Sequence, residues 1–430
     1  MRLLYNIIFP LFFVVSSPYY LWKLVRRGHW LVGLGQRFGF YGSMGASLKD
    51  KRVLWLHGVS VGEANLAIQL VNELRKELKD WTFVVSTTTT TGMGVLKSKL
   101  PEGANAVYYP IDWMPFVKCA FRNLNPSAVV LVEAEIWPNL FWEATSRNVS
   151  LSLVNTRLSE KSLNGYRKFG FLFKPLFQSL CSVGVQDEVD AQRVIELGCQ
   201  AEDIVVTGNM KFDGSVKASI DQSVNVRELL DQLGVSRHAP VIVAGSTFEG
   251  EELILSQLLA KWRVATPDLF LVVVPRHFER ADSVLAQIQS TGLHVARRTR
   301  MESAPERPEV LLVDTTGELT AFYEIASLVF IGKSLTAQGG QNPIEAAALG
   351  KPLVFGPFMQ NFRGVASSLL DAQGAQQIFD EGDLFIKVDE LLSDPEKREL
   401  MGKAATEVVN ANKGATQRTA LMLKRTLRAL

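Results

Sequence analysis

Four stretches of the sequence combine residue types and spacings that could do chemistry. Glu63 ends the run His57-Gly58-Val59-Ser60-Val61-Gly62-Glu63, which joins a strand, Val53–Leu56, to an amphipathic helix, Ala64–Leu78. Its two glycines allow a tight turn, but the run lacks the spacing of a dinucleotide or P-loop fingerprint. Glu63 is there either a partner of the helix dipole or a carboxylate shown at the carboxyl edge of a parallel sheet, where ligands bind. Glu133 and Glu135 follow a strand at Ala128–Val132; if extended they point opposite ways, so only one lines a cleft. A strand at Leu269–Val274 runs straight into Arg276-His277, which sets cations at the same kind of edge. The fourth stretch is a strand at Leu328–Gly332, a polar loop from Lys333 through Ser334 to Gln341, and a helix opened by Asn342-Pro343-Ile344-Glu345. Asn at the cap and Pro at the first helical position place backbone N–H groups beneath Gly339 and Gly340, which suits an anion. The plainer reading is a capping box between Asn342 and Glu345.

The elements that must position these residues alternate strand and helix throughout. In the first half, strands at Trp81–Ser86, Leu151–Arg157 and Ser182–Gln186 join those above, with the threonine run Thr87–Thr91 suited to a turn or a helix cap. In the second half, Val241–Ala244 leads to Gly245-Ser246-Thr247, where Ser246 with Glu249 reads as a capping box, and Leu311–Asp314 leads to Thr315-Thr316-Gly317. This pattern predicts two doubly wound α/β domains facing a cleft, parted in the polar stretch Phe212–Ser236. A helical tail runs from Lys397 to Leu430.

At 430 residues and 47% hydrophobic the chain can fill two cores, and a formal charge of +2 points to no nucleic acid. Its three cysteines and five histidines show no metal or disulfide spacing. The N-terminus carries twenty uncharged residues, Leu3–Trp22, which predict a membrane tether, spanning or interfacial. Tyr19, Tyr20 and Trp22 suit the interface, and Lys23, Arg26 and Arg27 place the body on the cytoplasmic side.

Five motifs in order, WLHGVSVGE from Trp55, VEAEIWPNL from Val132, GNMKFD from Gly208, PRHFER from Pro275 and GKSLTAQGGQNPIEAAALGKP from Gly332, make the chain resemble a known family across nearly its whole length. It resembles the 3-deoxy-D-manno-oct-2-ulosonic acid (Kdo) transferases of lipopolysaccharide assembly. The resemblance implies the GT-B architecture, with two Rossmann-like domains. It implies an anchor over residues 1–27, an acceptor domain over 28–211 and a donor domain over 212–430, the last helix crossing back to the first domain. It implies a CMP-Kdo donor, a lipid A precursor (lipid IVA) as acceptor, an inverting reaction, and the cytoplasmic face of the inner membrane of a Gram-negative-type bacterium. Glu63 matches the general base. Arg276, Ser246 and the backbone around Gly339 and Gly340 match the donor-phosphate side. Asn342 and Glu345 match the nucleotide side, with His277, Gly317, Lys333 and Ser334 completing the donor set and Glu135 a second functional carboxylate. No cofactor and no metal are implied, and the sequence has no Asp-x-Asp motif. Lys333 stands where a second glycine is usual, Gln341 where a histidine is, and Arg363-Gly364-Val365 where a glutamate is. A nucleotide-sugar epimerase, or a transferase with another nucleotide-sugar donor, would use the same fold.

Overall fold

The computed structural model describes residues 1–11, 33–133, 136–213 and 225–428. The chain divides into two compact units, Met1–Gly214 with Gly414–Leu430, and Ser215–Lys413.

The first unit holds a seven-stranded sheet: β1 Arg52–His57, β2 Trp81–Thr87, β3 Asn105–Tyr108, β4 Ala128–Val132, β5 Ser150–Thr156, β6 Ser182–Val185 and β7 Ile204–Val206. Their order is β3-β2-β1-β4-β5-β6-β7, and every pairing is parallel. Both faces are covered, so β4 reads as an unbroken apolar run, AVVLV, buried at each position. Connections between parallel neighbours need helices, and these cover the two faces. One face packs Trp55, Phe121 and Phe141; the other packs Leu66, Leu70 and Val130. The chain's last helix, Ala415–Arg428, adds Leu423 and Leu427 to the second face. Asp213 fixes the start of that helix by accepting from the amides of Gly414 and Thr416, each at 2.7 Å.

The second unit repeats the design. Its strands are β8 Val241–Thr247, β9 Phe270–Pro275, β10 Val295–Arg297, β11 Val310–Leu312, β12 Leu328–Ile331, β13 Leu353–Phe355 and β14 Ala375–Gln377, in the order β10-β11-β9-β8-β12-β13-β14. These too pair in parallel. Trp262, Leu271 and Phe330 lie in its core.

Residues 2–11 are helical and dock on the first unit by one face. Arg2 pairs with Glu143 at 3.0 Å, Asn6 hydrogen-bonds Asn139 and the Met114 amide, and Tyr5 packs edge-on to Trp142. The Tyr5 hydroxyl donates to Asp112, whose carboxylate also caps the helix Pro138–Ser146 through the amides of Asn139 and Leu140. Burial pushes the Asp112 carboxyl up to about 6 against those three hydrogen bonds. The opposite face turns Leu3, Leu4, Ile7, Ile8 and Leu11 to solvent. Among the described residues no helix is long and apolar enough to cross a membrane. Most of the apolar run predicted as a tether, residues 12–22, lies outside the described residues.

Candidate functional site

In each sheet the strand order switches sides at the first strand, between β1 and β4 and between β8 and β12, and in the second sheet β11 also steps back inside β10. Loops leaving adjacent strands there part to opposite faces and open a crevice at the carboxyl edge.

At the first switch the helix Val61–Leu74 begins with a capping box. Ser60 Oγ accepts from the Glu63 amide and donates to Glu63 Oε1 at 2.8 Å, while the Val59 amide donates to Oε2 at 2.6 Å. Gly58 is required: a Cβ there would stand 2.8 Å from the Glu63 Cβ. Glu63 is only 8% exposed. Burial raises its pKa first and the charge of Glu133 second, with the Ser60 and Val59 hydrogen bonds opposing. A carboxylate has about four acceptor sites; the Ser60 hydroxyl and the Val59 amide donate to it, and the Ser60 amide also favours its charged form. Glu63 thus keeps room for a substrate proton. Glu133 follows β4 with φ of 62°, a left-handed backbone costing roughly 1–2 kcal/mol in a residue with a Cβ, and it pairs with Lys211 at 2.9 Å. Asn155, at the end of β5, holds that segment by accepting from the Met210 amide at 2.9 Å. His57, fully buried and stacked on Tyr109, has its pKa lowered by burial to about 3, so it is neutral at physiological pH. The threonine run serves as a cap: Thr89 Oγ1 accepts from the Gly92 amide, and Thr87 Oγ1 donates to the Val59 carbonyl.

At the second switch Ser246, next to last in β8, is half-buried with φ of 53°. Gly332 leaves β12 so close to it that a Cβ would lie 2.3 Å from the Ser246 carbonyl oxygen. Lys333 follows, half-buried, with φ of 54°, and its Nζ stands 5.1 Å from the centre of the Phe248 ring. His277 meets the same ring edge-on, and Arg276 beside it is exposed. Gly317, exposed with φ of 87°, sits in the loop after β11. Asn342 Nδ2 donates to Glu345 Oε1, and Thr320 donates to Glu345 Oε2, each at 3.0 Å. Among the described residues no group of three or more His, Cys, Asp or Glu could hold a metal ion.

Four expectations are corrected here. The Gly339 and Gly340 amides are not free for an anion, because they donate to Gln360 Oε1 and the Lys333 carbonyl, each at 2.8 Å. The helix beyond them spans only Ile344–Ala348, with Pro343 rather than Asn342 at its cap, so it offers little dipole. Ser334 is fully buried; its hydroxyl donates to the Ile331 carbonyl and accepts from the Gly356 amide, which closes the loop and leaves nothing for a donor. Ser246 and Glu249 form no capping box, since the helix starts at Glu251 with Gly250 before it.

Sequence reasoning missed Glu251 as an organiser. Its carboxylate, fully buried, accepts from the amides of Phe248, Lys333, Ser334 and Leu335 at 2.7–3.0 Å. It missed Lys211 as the partner of Glu133, although GNMKFD was already a motif. Its second-choice carboxylate, Glu135, lies outside the described residues.

Residues 33–214 match the family described as 3-Deoxy-D-manno-octulosonic-acid transferase (kdotransferase). The 3-deoxy-D-manno-octulosonic acid transferase of Haemophilus influenzae is 32% identical over 91% of this chain and 90% of its own length. The enzyme of the same name from Bordetella pertussis is 32% identical over 93% and 94%. A putative UDP-N-acetylglucosamine 2-epimerase of Listeria monocytogenes superposes with a TM-score of 0.59, covering 88% of this chain and 98% of that one; at 16% identity the likeness is one of fold.

Proposed function

Because the chain belongs to the 3-deoxy-D-manno-octulosonic acid (Kdo) transferase family, we propose that it is an inverting glycosyltransferase moving Kdo from CMP-Kdo to a lipid A precursor, lipid IVA, in lipopolysaccharide inner-core assembly. The observation that carries the mechanism is Glu63: buried, reluctant to ionise, and with acceptor sites to spare. A carboxylate so placed is a stronger base than one in water. It takes the proton of the acceptor hydroxyl as that oxygen bonds to the anomeric carbon. The bond from that carbon to the phosphate oxygen breaks, and CMP leaves with the electron pair. Lys211 and Glu133 adjust the field around the base.

The second unit holds the donor. Ser246, Arg276, His277, Gly317 and Lys333 surround its phosphate and sugar, and fixed cations there answer the charge of the leaving group. Asn342 and Glu345 hold the nucleotide, Glu345 on the ribose hydroxyls. The outward apolar row Leu3, Leu4, Ile7, Ile8 and Leu11 supports association of the N-terminus with the cytoplasmic face of the inner membrane of a Gram-negative-type bacterium.

The test is transfer by purified protein from CMP-Kdo, generated in situ, to tetraacylated lipid A precursor, followed by mass spectrometry. Mass increments of Kdo on the lipid are expected. Intact donor and lipid with folded protein would overturn the assignment, and conversion of a nucleotide sugar without acceptor would make the protein an epimerase.

A further inference from the structure

Two polar residues, Tyr5 and Asn6, interrupt the apolar start of the chain, and a tether to lipid gives neither of them a task. In the helix 2–11 they share the docked face with Arg2 and Phe9, while the apolar row points outward. Asn6 uses its whole hydrogen-bonding capacity there. Its Nδ2 donates to the Arg2 carbonyl and to Asn139 Oδ1, each at 2.8 Å. Its Oδ1 accepts from the Met114 amide at 3.0 Å and from Asn139 Nδ2 at 3.1 Å.

These bonds hold the carboxyl edge of the first sheet. The loops after β3 and β4 enter the helices Met114–Leu124 and Pro138–Ser146, whose N-cap residues, Trp113 and Trp137, supply no side-chain cap. The open amides are satisfied from elsewhere in the chain: Met114 by Asn6, and Asn139 and Leu140 by Asp112. Tyr5 donates to the same Asp112 oxygen as the Asn139 amide. Asp112 and Asn139 are both buried, so a bond lost among them leaves a group unpaired out of water. From Asn139 the path to Glu63 is one of packed rings. Trp137 lies against Tyr109, centroids 5.7 Å apart, and Tyr109 stacks on His57 at 3.9 Å. His57 ends β1 and is followed by Gly58, which packs on Glu63.

We propose that Tyr5 and Asn6 are positioning residues for transfer: through Asp112 and Asn139 they hold Trp137 and Tyr109 against the loop that carries Glu63. The helix 2–11 then serves the reaction away from any bilayer. The inference rests on the proposed Kdo transfer with Glu63 as base.

The experiment compares full-length wild type with Tyr5→Phe, Asn6→Ala, Asn139→Ala and the double variant Asn6→Ala/Asn139→Ala. Transfer from CMP-Kdo to tetraacylated lipid A precursor is followed in detergent micelles, where anchoring to a bilayer counts for nothing. kcat is expected to fall about 3- to 10-fold in Tyr5→Phe and about 10- to 100-fold in Asn6→Ala, with KM for CMP-Kdo unchanged. Tyr5→Phe keeps the ring on Trp142 and loses only the hydroxyl, so it answers if Asn6→Ala folds poorly. Glu133 precedes Trp137 and its charge raises the Glu63 pKa, so loosening this edge should move the acid limb of kcat/KM to lower pH. A smaller folded fraction would instead scale the profile and leave the limb in place. The double variant should lose no more than its worse single, since both remove the same pair of bonds. Full activity in micelles, a scaled profile with an unmoved limb, or additive losses would each overturn the proposal. Hydrogen exchange read by mass spectrometry needs no turnover. In Asn6→Ala, peptides holding Met114, Tyr109, Trp137 and the Val59–Glu63 loop should exchange about 10-fold faster. If wild type transfers no Kdo, it is the proposed function that fails. Exchange then decides the brace by itself, and faster exchange confined to residues 2–11 overturns it.

Discussion

Both units place a buried glutamate at the start of the helix that follows their first strand, and the two have opposite fates. Glu63, in the first unit, accepts from the Ser60 hydroxyl and the Val59 amide of its own loop, with the Ser60 amide also favouring its charged form. Glu251, in the second, accepts from four amides, three of them in the loop after β12. Burial raises the pKa of both. The difference lies in unfilled acceptor capacity. A carboxylate with every acceptor site filled is a clamp, and one with sites left over can take a proton from a substrate. A perturbed carboxylate near a sheet edge therefore becomes a candidate base only after its hydrogen bonds are counted.

The largest expected effect separates the two directly. Glu63→Gln should lower kcat for Kdo transfer about 100- to 10,000-fold while leaving CMP affinity unchanged. Glutamine can keep the capping box, so the fold should hold. Its stability relative to wild type has a definite sign. The folded-state pKa of Glu63 is raised, so the stability it lends is full below the unfolded value and is lost as pH rises through the folded one. Glu63→Gln should thus melt at or above wild type at pH 8, with the gap closing on acidification. Retained turnover would move the base elsewhere, Glu135 being the next carboxylate to test.

Glu251→Gln should behave in the other way. One carboxylate oxygen becomes an amide that faces N–H donors, and two orphaned amides cost about 2–6 kcal/mol together. Urea unfolding should show the second unit weakened, and KM for the donor should rise because Lys333 loses its seat. A variant of normal stability with lost kcat would break the comparison, because Glu251 would then be chemical.

The third test sharpens the first unit alone. Glu133 raises the Glu63 pKa, and Lys211 answers Glu133. The acid limb of the kcat/KM profile should therefore move to lower pH in Glu133→Gln and to higher pH in Lys211→Met. Shifts in the same direction, or none, would remove the pair from the control of the base.

What the sequence showed and what it hid divide along the same line as these residues. The strands were legible because parallel strands covered on both faces read as continuous apolar runs, as β4 and β9 do. Glu63 was legible because its partners lie within four residues, inside one strand–loop–helix pattern. Glu251 was not, because its partners at Lys333, Ser334 and Leu335 stand 82–84 residues away. The Gly339–Gly340 turn was misread for the same reason: the glycines announce the backbone shape, while the acceptors that use up their amides come from Gln360 and Lys333. Local chemistry is written in local sequence. Whether a group still has capacity to spare is decided by residues brought in by the fold.

The smallest expected effect probes that capacity at Glu63. Ser60→Ala removes the cap and the hydroxyl's hydrogen bond to the carboxylate. Loss of the cap should cost about 0.5–2 kcal/mol, read as an earlier urea midpoint with an unchanged slope. The Ser60 hydrogen bond favours the charged form, so its loss should raise the Glu63 pKa further and move the acid limb upward. Above that limb, turnover should fall little, because the base is still present and has one more free acceptor site. Ser60→Thr should restore both the midpoint and the limb. A collapse of turnover at every pH in Ser60→Ala would mean that the loop's hydrogen bonds aim the carboxylate rather than only tune it, and spare acceptor capacity would then be the lesser part of what separates Glu63 from Glu251.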